Sequence, residues 1–169
     1  MKHLLSCIAA LVVSIAPHAW AQSSQADPFN GTWRLNAARS TTTWQSHPQP
    51  KIATPQPRSF ELVTMKVTDG TMDYSVEYAR ANEAHKKASY IAKYNDAKWQ
   101  DVRGSADGSF SSLTLVKSTD RIHYVVTRAK DGQFAGVVLN KLAEGGQSFT
   151  SVGLGSDGYV QYVRVFEKQ

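Results

Sequence analysis

Turn-forming dipeptides divide this chain from residue 69 onward: Asp69-Gly70, Asn95-Asp96, Asp107-Gly108, Thr119-Asp120, Asp131-Gly132, Gly145-Gly146 and Asp157-Gly158. From Asn95 they recur about every 12 residues. Asx-Gly pairs supply the positive φ angles that tight hairpins demand. The intervening stretches are rich in Val, Tyr, Phe, Thr and Leu, so the pattern is a run of antiparallel strands joined by short loops. A meander follows.

Hairpin arithmetic tests the faces. A two-residue loop at Asp69-Gly70 sets Val67 opposite Met72, Met65 opposite Tyr74 and Val63 opposite Val76, all on one apolar side. Lys66 then meets Asp73 and Thr64 meets Ser75 on the other. A one-residue slip would destroy both matches. The Asp131-Gly132 hairpin sets Val126 opposite Val137, Tyr124 opposite Leu139 and Arg128 opposite Ala135, and this face is taken as internal. Around Asp157-Gly158, Tyr162 falls opposite Gly153, where its ring covers the missing side chain. Which face of that last pair is internal stays open.

Residues 79–94 are rich in Ala and Lys and form a helix on propensity alone. Tyr90, Ala92 and Tyr94 nevertheless alternate with Ile91 and Lys93, so the reading is a loop or short helix near 80–87 followed by a strand. Strands are expected at 31–36, 59–68, 71–79, 88–94, 97–103, 110–118, 121–130, 133–142, 147–155 and 159–167. The fold class is all-β, an antiparallel up-and-down meander closed into a barrel of about eight to ten strands. Closure removes the sheet edges that invite aggregation. A barrel of this size either fills with side chains or holds one small ligand.

Upstream, Lys2 and His3 precede an apolar run from Leu4 to Ala16, and Ala19-Trp20-Ala21 offers small residues where a signal peptidase reads. Residues 1–21 are expected to be a cleaved signal peptide and 22–169 the mature domain, periplasmic or secreted. The apolar run falls short of the roughly 20 residues a spanning helix needs, so no stable membrane insertion is expected. Leu4-Leu5-Ser6-Cys7 resembles a lipoprotein box, but the Cys precedes nearly all of the apolar stretch. Cys7 is the only cysteine, so the mature chain has neither disulfide nor thiol nucleophile. The formal charge is +5, from basic residues scattered apart from Arg80, Lys86, Lys87, Lys93, Lys98 and Arg103. No aromatic and basic alternation runs through them, which argues against nucleic acid as a partner.

The sequence FNGTWRLN, residues 29–36, supplies the first strand, ahead of a connection from Ala37 to Arg58 with Pro48, Pro50, Pro55 and Pro57. Loops this long usually cover a site or are disordered. Gly31-x-Trp33 on a first strand, a long first loop and a meander of hairpins resemble the lipocalin or calycin superfamily. The segments NGTWRLNAARS, AKYNDAKW, TRAKDG and VFEK are similar to those of exported bacterial lipocalin-like proteins. The resemblance implies that Trp33 closes the barrel floor and that a late basic residue, Arg164 or Lys168, packs across it. The chain departs from many lipocalins in lacking mature cysteines and a long helix after the barrel.

Candidate ligand-lining residues follow from these faces: Met65, Met72, Tyr74 and Tyr78, for which plain core packing is the first explanation, then Tyr90, Trp99, Tyr124, Arg128 and Leu139. Arg128 shares a parity with Tyr124 and Leu139; it either pairs an anionic ligand head inside or reaches solvent where the strand ends. Tyr90, Trp99, Asp101 and Arg103 are expected on one face, with Asp101 paired to either Arg. His47, His85 and His123 are far apart in sequence and give no metal spacing. GLGSDG, 153–158, joins two strands and opens no helix, so it is a turn and not a phosphate loop. No Gly-x-Ser-x-Gly elbow, cofactor motif or catalytic nucleophile is legible. The first functional reading is an exported barrel that binds or carries a small hydrophobic ligand, anionic if Arg128 faces inward. The second is a cofactor-free isomerase, cyclase or lyase using buried Tyr, Asp101, Arg128 or His85 as acid, base or anion stabiliser. The third is a solid barrel serving as an envelope or partner-binding module.

Overall fold

The computed structural model describes residues 26–42, 57–104 and 110–169. The expected signal peptide 1–21, His47 and the Asp107-Gly108 turn lie outside the described residues. Among these residues eleven strands and no helix occur: β1 (Gly31–Thr42), β2 (Arg58–Thr68), β3 (Thr71–Arg80), β4 (Lys86–Lys93), β5 (Gln100–Asp101), β6 (Arg103–Gly104), β7 (Ser112–Thr119), β8 (Ile122–Arg128), β9 (Phe134–Leu142), β10 (Ser148–Gly155) and β11 (Val160–Lys168). They form one sheet in the order β5-β7-β8-β9-β10-β11-β1-β2-β3-β4-β6. The meander curls until first and last strands pair, Trp33 opposite Lys168 and Leu35 opposite Phe166, giving a nearly closed antiparallel barrel. No described helix is long and apolar enough to cross a membrane.

The β2–β3 hairpin has the register that alternation requires, with Val63↔Val76, Met65↔Tyr74 and Val67↔Met72. Asp69 and Gly70 both take positive φ, as a two-residue turn demands. The Ala-rich stretch after β3 holds no helix: Asn82 takes positive φ and turns the chain directly into β4. Here cross-strand packing of Ala88, Tyr90 and Ala92 against Val76, Tyr74 and Met72 overrides helix propensity.

The first strand is longer than expected, because a bulge between Asn36 and Thr41 carries it past residue 36. Ser40 stabilises that bulge: its hydroxyl donates to the Asn36 carbonyl at 2.7 Å and accepts from the Val165 amide at 3.0 Å. The expected strand 97–103 is instead two short pieces. Asn95 and Ala97 both adopt left-handed φ and bend the chain away. β5 then pairs with β7 while β6 pairs with β4. This one segment therefore joins the two ends of the sheet. Tyr94 forms a parallel bridge to Leu115, and the Asn95 amide donates to the Leu115 carbonyl at 2.9 Å.

In the β8–β9 hairpin Tyr124↔Leu139 and Val126↔Val137 hold, but Arg128 faces Phe134 and not Ala135, because a bulge intervenes after Thr127. The expected orientation is inverted: His123, Val125 and Thr127 are buried, whereas Tyr124, Val126 and Arg128 lie on the outer wall. In the last hairpin the inner face carries Gly153 opposite Tyr162. The Tyr162 ring occupies the space a Cβ at Gly153 would need. Gly153→Val should therefore lower unfolding stability by about 1–3 kcal/mol through overpacking, read by urea denaturation; an unchanged midpoint would mean the ring swings aside freely.

Candidate functional site

One end of the barrel is closed by residues 29–33 and the other end carries the site. At the closed end Trp33 is fully buried and its indole N–H donates to the Phe29 carbonyl at 2.9 Å. Phe149 meets the indole edge-on at 5.1 Å, and Lys168 sits with its ammonium 5.2 Å from the ring centroid. Lys168, not Arg164, is the basic cover. Gly31 adopts φ 143°, and a Cβ there would lie 2.9 Å from the Lys168 stem, so the Gly-x-Trp pattern is required by close approach as well as by backbone angle.

Beside this floor a polar cluster replaces hydrophobic packing. His123 is 1 % exposed, with Phe29 edge-on at 4.5 Å. The Asn140 amide donates to His123 Nε2 at 2.9 Å, which leaves the proton on Nδ1, 3.3 Å from the Tyr94 hydroxyl. Burial holds the imidazole pKa down at about 4; nearby Asp27 opposes the shift and Lys117 adds to it. The ring is thus neutral at physiological pH. Lys117 bonds Asp27 at 2.9 Å below it.

Above the floor lies a cavity of about 140 Å³. Its body is largely apolar, built from Met65, Val76, Leu113, Val125, Phe149 and Phe166, with Thr127, Asn140 and Ser151 also in the lining. Its upper wall carries Arg58, Glu61 and Arg164. Glu61 follows the inward parity of Val63 and Met65 on β2 and is 3 % exposed. Arg58 donates to Glu61 Oε1 at 2.5 Å and lies 3.8 Å over the Tyr78 ring. Arg164 Nη1 stands 3.2 Å from Glu61 Oε2, outside hydrogen-bond alignment, and its guanidinium lies 3.9 Å over Tyr162. Among the described residues Arg164 makes no hydrogen bond. Tyr74 stacks on Tyr90 at 4.6 Å beside this group. Burial, then the Glu61 charge, pushes the Tyr74 hydroxyl well above the ordinary tyrosine range, and burial does the same for Tyr90. Both remain neutral hydrogen-bond donors.

Of the residues expected to line a pocket, Met65, Tyr74, Tyr78 and Tyr90 face this cavity. Met72 is fully buried but belongs to the core, where its sulfur accepts from the Tyr90 hydroxyl at 3.8 Å. Trp99, Tyr124, Arg128 and Leu139 lie outside the cavity lining, and the Arg128 guanidinium covers the Trp99 ring at 3.7 Å on the outer wall. Asp101 and Arg103 are exposed and unpaired to each other, while Tyr90 points inward, so the four do not share a face. His85 stacks on Phe60 and pairs with Glu77 at 2.7 Å outside the barrel. Asp101, Arg128 and His85, considered for acid, base and anion-stabilising roles, are not among the residues lining this cavity.

Sequence reasoning missed Glu61, Arg58 and the inward placement of Arg164. The signal was present: Glu61 continues the Val63, Met65 alternation, and Arg164 stands two residues from Tyr162, whose ring covers Gly153. No family model and no curated protein matches the chain.

Proposed function

We propose that this chain is an exported, lipocalin-like binding protein whose barrel takes up a small apolar anion. The observation that carries the reading is Arg164: a guanidinium on the polar upper wall of a cavity with a largely apolar body, ion-paired with Glu61 but with no side-chain hydrogen bond among the described residues. Glu61 is ion-paired with both Arg58 and Arg164, one carboxylate against two guanidinium groups, so the trio keeps one positive charge for an anion to balance. Stacking on Tyr162 fixes the guanidinium plane before any ligand arrives, which reduces the ordering cost of binding. The volume limits the ligand, since an apolar cavity of about 150 Å³ accommodates benzene. One ring or a short branched chain fits. Kinship to lipocalins is supported by the Gly31, Trp33 and Lys168 arrangement at the closed end, and export by the run from Leu4 to Ala16.

Titration calorimetry with phenylacetate and its neutral amide is the test. Arg164→Leu should weaken phenylacetate at least about tenfold, near 1.4 kcal/mol, and leave phenylacetamide unchanged. Equal loss for both probes, or none for either, would reject Arg164 as the anion anchor.

A further inference from the structure

Building on the cavity as a site for a small apolar anion, we infer that its ligand is an apolar 2-hydroxy carboxylic acid. Its carboxylate would face Arg164, its adjacent hydroxyl would donate to Glu61 Oε2, and its hydrocarbon body would fill the lower cavity.

The decisive atom is Glu61 Oε2. It is buried and accepts no hydrogen bond among the described residues, although its sister oxygen Oε1 takes the Arg58 donor at 2.5 Å. Oε2 keeps the Coulomb attraction of Arg164 at 3.2 Å but receives no hydrogen bond, so its lost hydration is only partly replaced. The missing donor has to come from the cavity side, because Glu61 lines it. Arg164 cannot fulfil this role as oriented, since its Nη1 stands 3.2 Å away without the alignment a hydrogen bond requires. An acceptor-only ligand, such as a simple carboxylate, would satisfy Arg164 and leave Oε2 bare. A donor-only ligand would do the reverse.

Spacing and charge narrow the class. Glu61 Oε2 and the Arg164 guanidinium, ion-paired but not hydrogen-bonded to each other, are 3.2 Å apart, so the ligand atoms complementary to them are near neighbours. A hydroxyl on the carbon next to a carboxylate places donor and acceptor about 3 Å apart, within the usual hydrogen-bond range. A 2-amino acid has the same spacing, but its zwitterion brings no net charge to balance Arg164. The hydroxy acid brings one negative charge. The neutral Tyr74 hydroxyl, which makes no hydrogen bond among the described residues, adds a second donor for the carboxylate.

The test compares three probes of one size on the full chain by titration calorimetry: phenylacetate, mandelate and phenylglycine. Mandelate should bind at least about tenfold more tightly than phenylacetate, and more tightly than phenylglycine. Glu61→Gln should bring mandelate and phenylacetate within about threefold of each other. If that variant does not fold, the wild-type comparison decides alone. Equal affinity for mandelate and phenylacetate would overturn the hydroxy-acid assignment while leaving the apolar-anion site standing. Tighter phenylglycine would overturn the charge argument, and with it the assignment. Binding of none of the three below about 10 mM would overturn both the assignment and the site.

Discussion

Trp33→Ala should cost about 3–5 kcal/mol of unfolding free energy, the range for removing a fully buried large aromatic side chain. The indole is 0 % exposed, is met edge-on by Phe149, and satisfies the Phe29 carbonyl. Since a domain of this size holds only about 5–15 kcal/mol in total, the variant should be partly unfolded at 37 °C. Urea denaturation followed by far-ultraviolet circular dichroism measures it. Trp33→Phe separates the contributions: most packing stays, but the Phe29 carbonyl loses its donor, for about 1–3 kcal/mol. A loss below about 1 kcal/mol for Trp33→Ala would show that the floor does not hold the barrel together.

Acid should weaken the fold through His123. Its pKa lies at about 4 in the folded chain against 6.5 when unfolded, so between these values the unfolded state binds the extra proton. The stabilising contribution is complete above pH 6.5 and is lost as pH falls toward 4. The full difference amounts to about 3 kcal/mol. Protonation also sets an Nε2 proton against the Asn140 amide that now donates to that nitrogen. His123→Gln has no such titration, so its stability curve should run flatter across this window. The substitution leaves every other side chain in place, so the difference between the two curves isolates His123. Parallel curves would remove His123 as the cause.

Strand positions and hairpin registers were legible in the sequence because turn dipeptides and β-branched runs are local signals. The β2–β3 hairpin shows why: only one register matches Lys66 to Asp73 and buries Val63, Met65 and Met72 together. The β8–β9 hairpin shows the limit. Both of its faces are apolar enough to pass for a core, Tyr124, Val126, Val137 and Leu139 on one side and Val125, Val138 and Leu142 on the other. The inner side was decided by polar residues. His123 and Asn140 bond each other, and the Thr127 hydroxyl donates to the Gly136 carbonyl at 2.9 Å. Alternation assigns such residues to solvent, yet burial is tolerated where partners are supplied. Asn140 and Gly136 lie directly opposite His123 and Thr127 in the same hairpin, so the register held the signal, and what hid it was reading polarity residue by residue instead of pair by pair. The site was hidden for another reason. Arg58, Glu61 and Arg164 belong to β2 and β11, which both pair with β1 but not with each other, so they meet only once the first and last strands are joined.

The seam between β4 and β7 is where the sheet is held by the fewest strand pairings. β5 and β6 grip their neighbours through two residue pairs each, whereas β2 and β3 are zipped along nearly their whole length. Resistance to local opening rises with the number of backbone bonds that must break together. The cylinder is therefore fastened unevenly, and amide hydrogens of β5 and β6 should exchange with solvent sooner than those of β2 and β3.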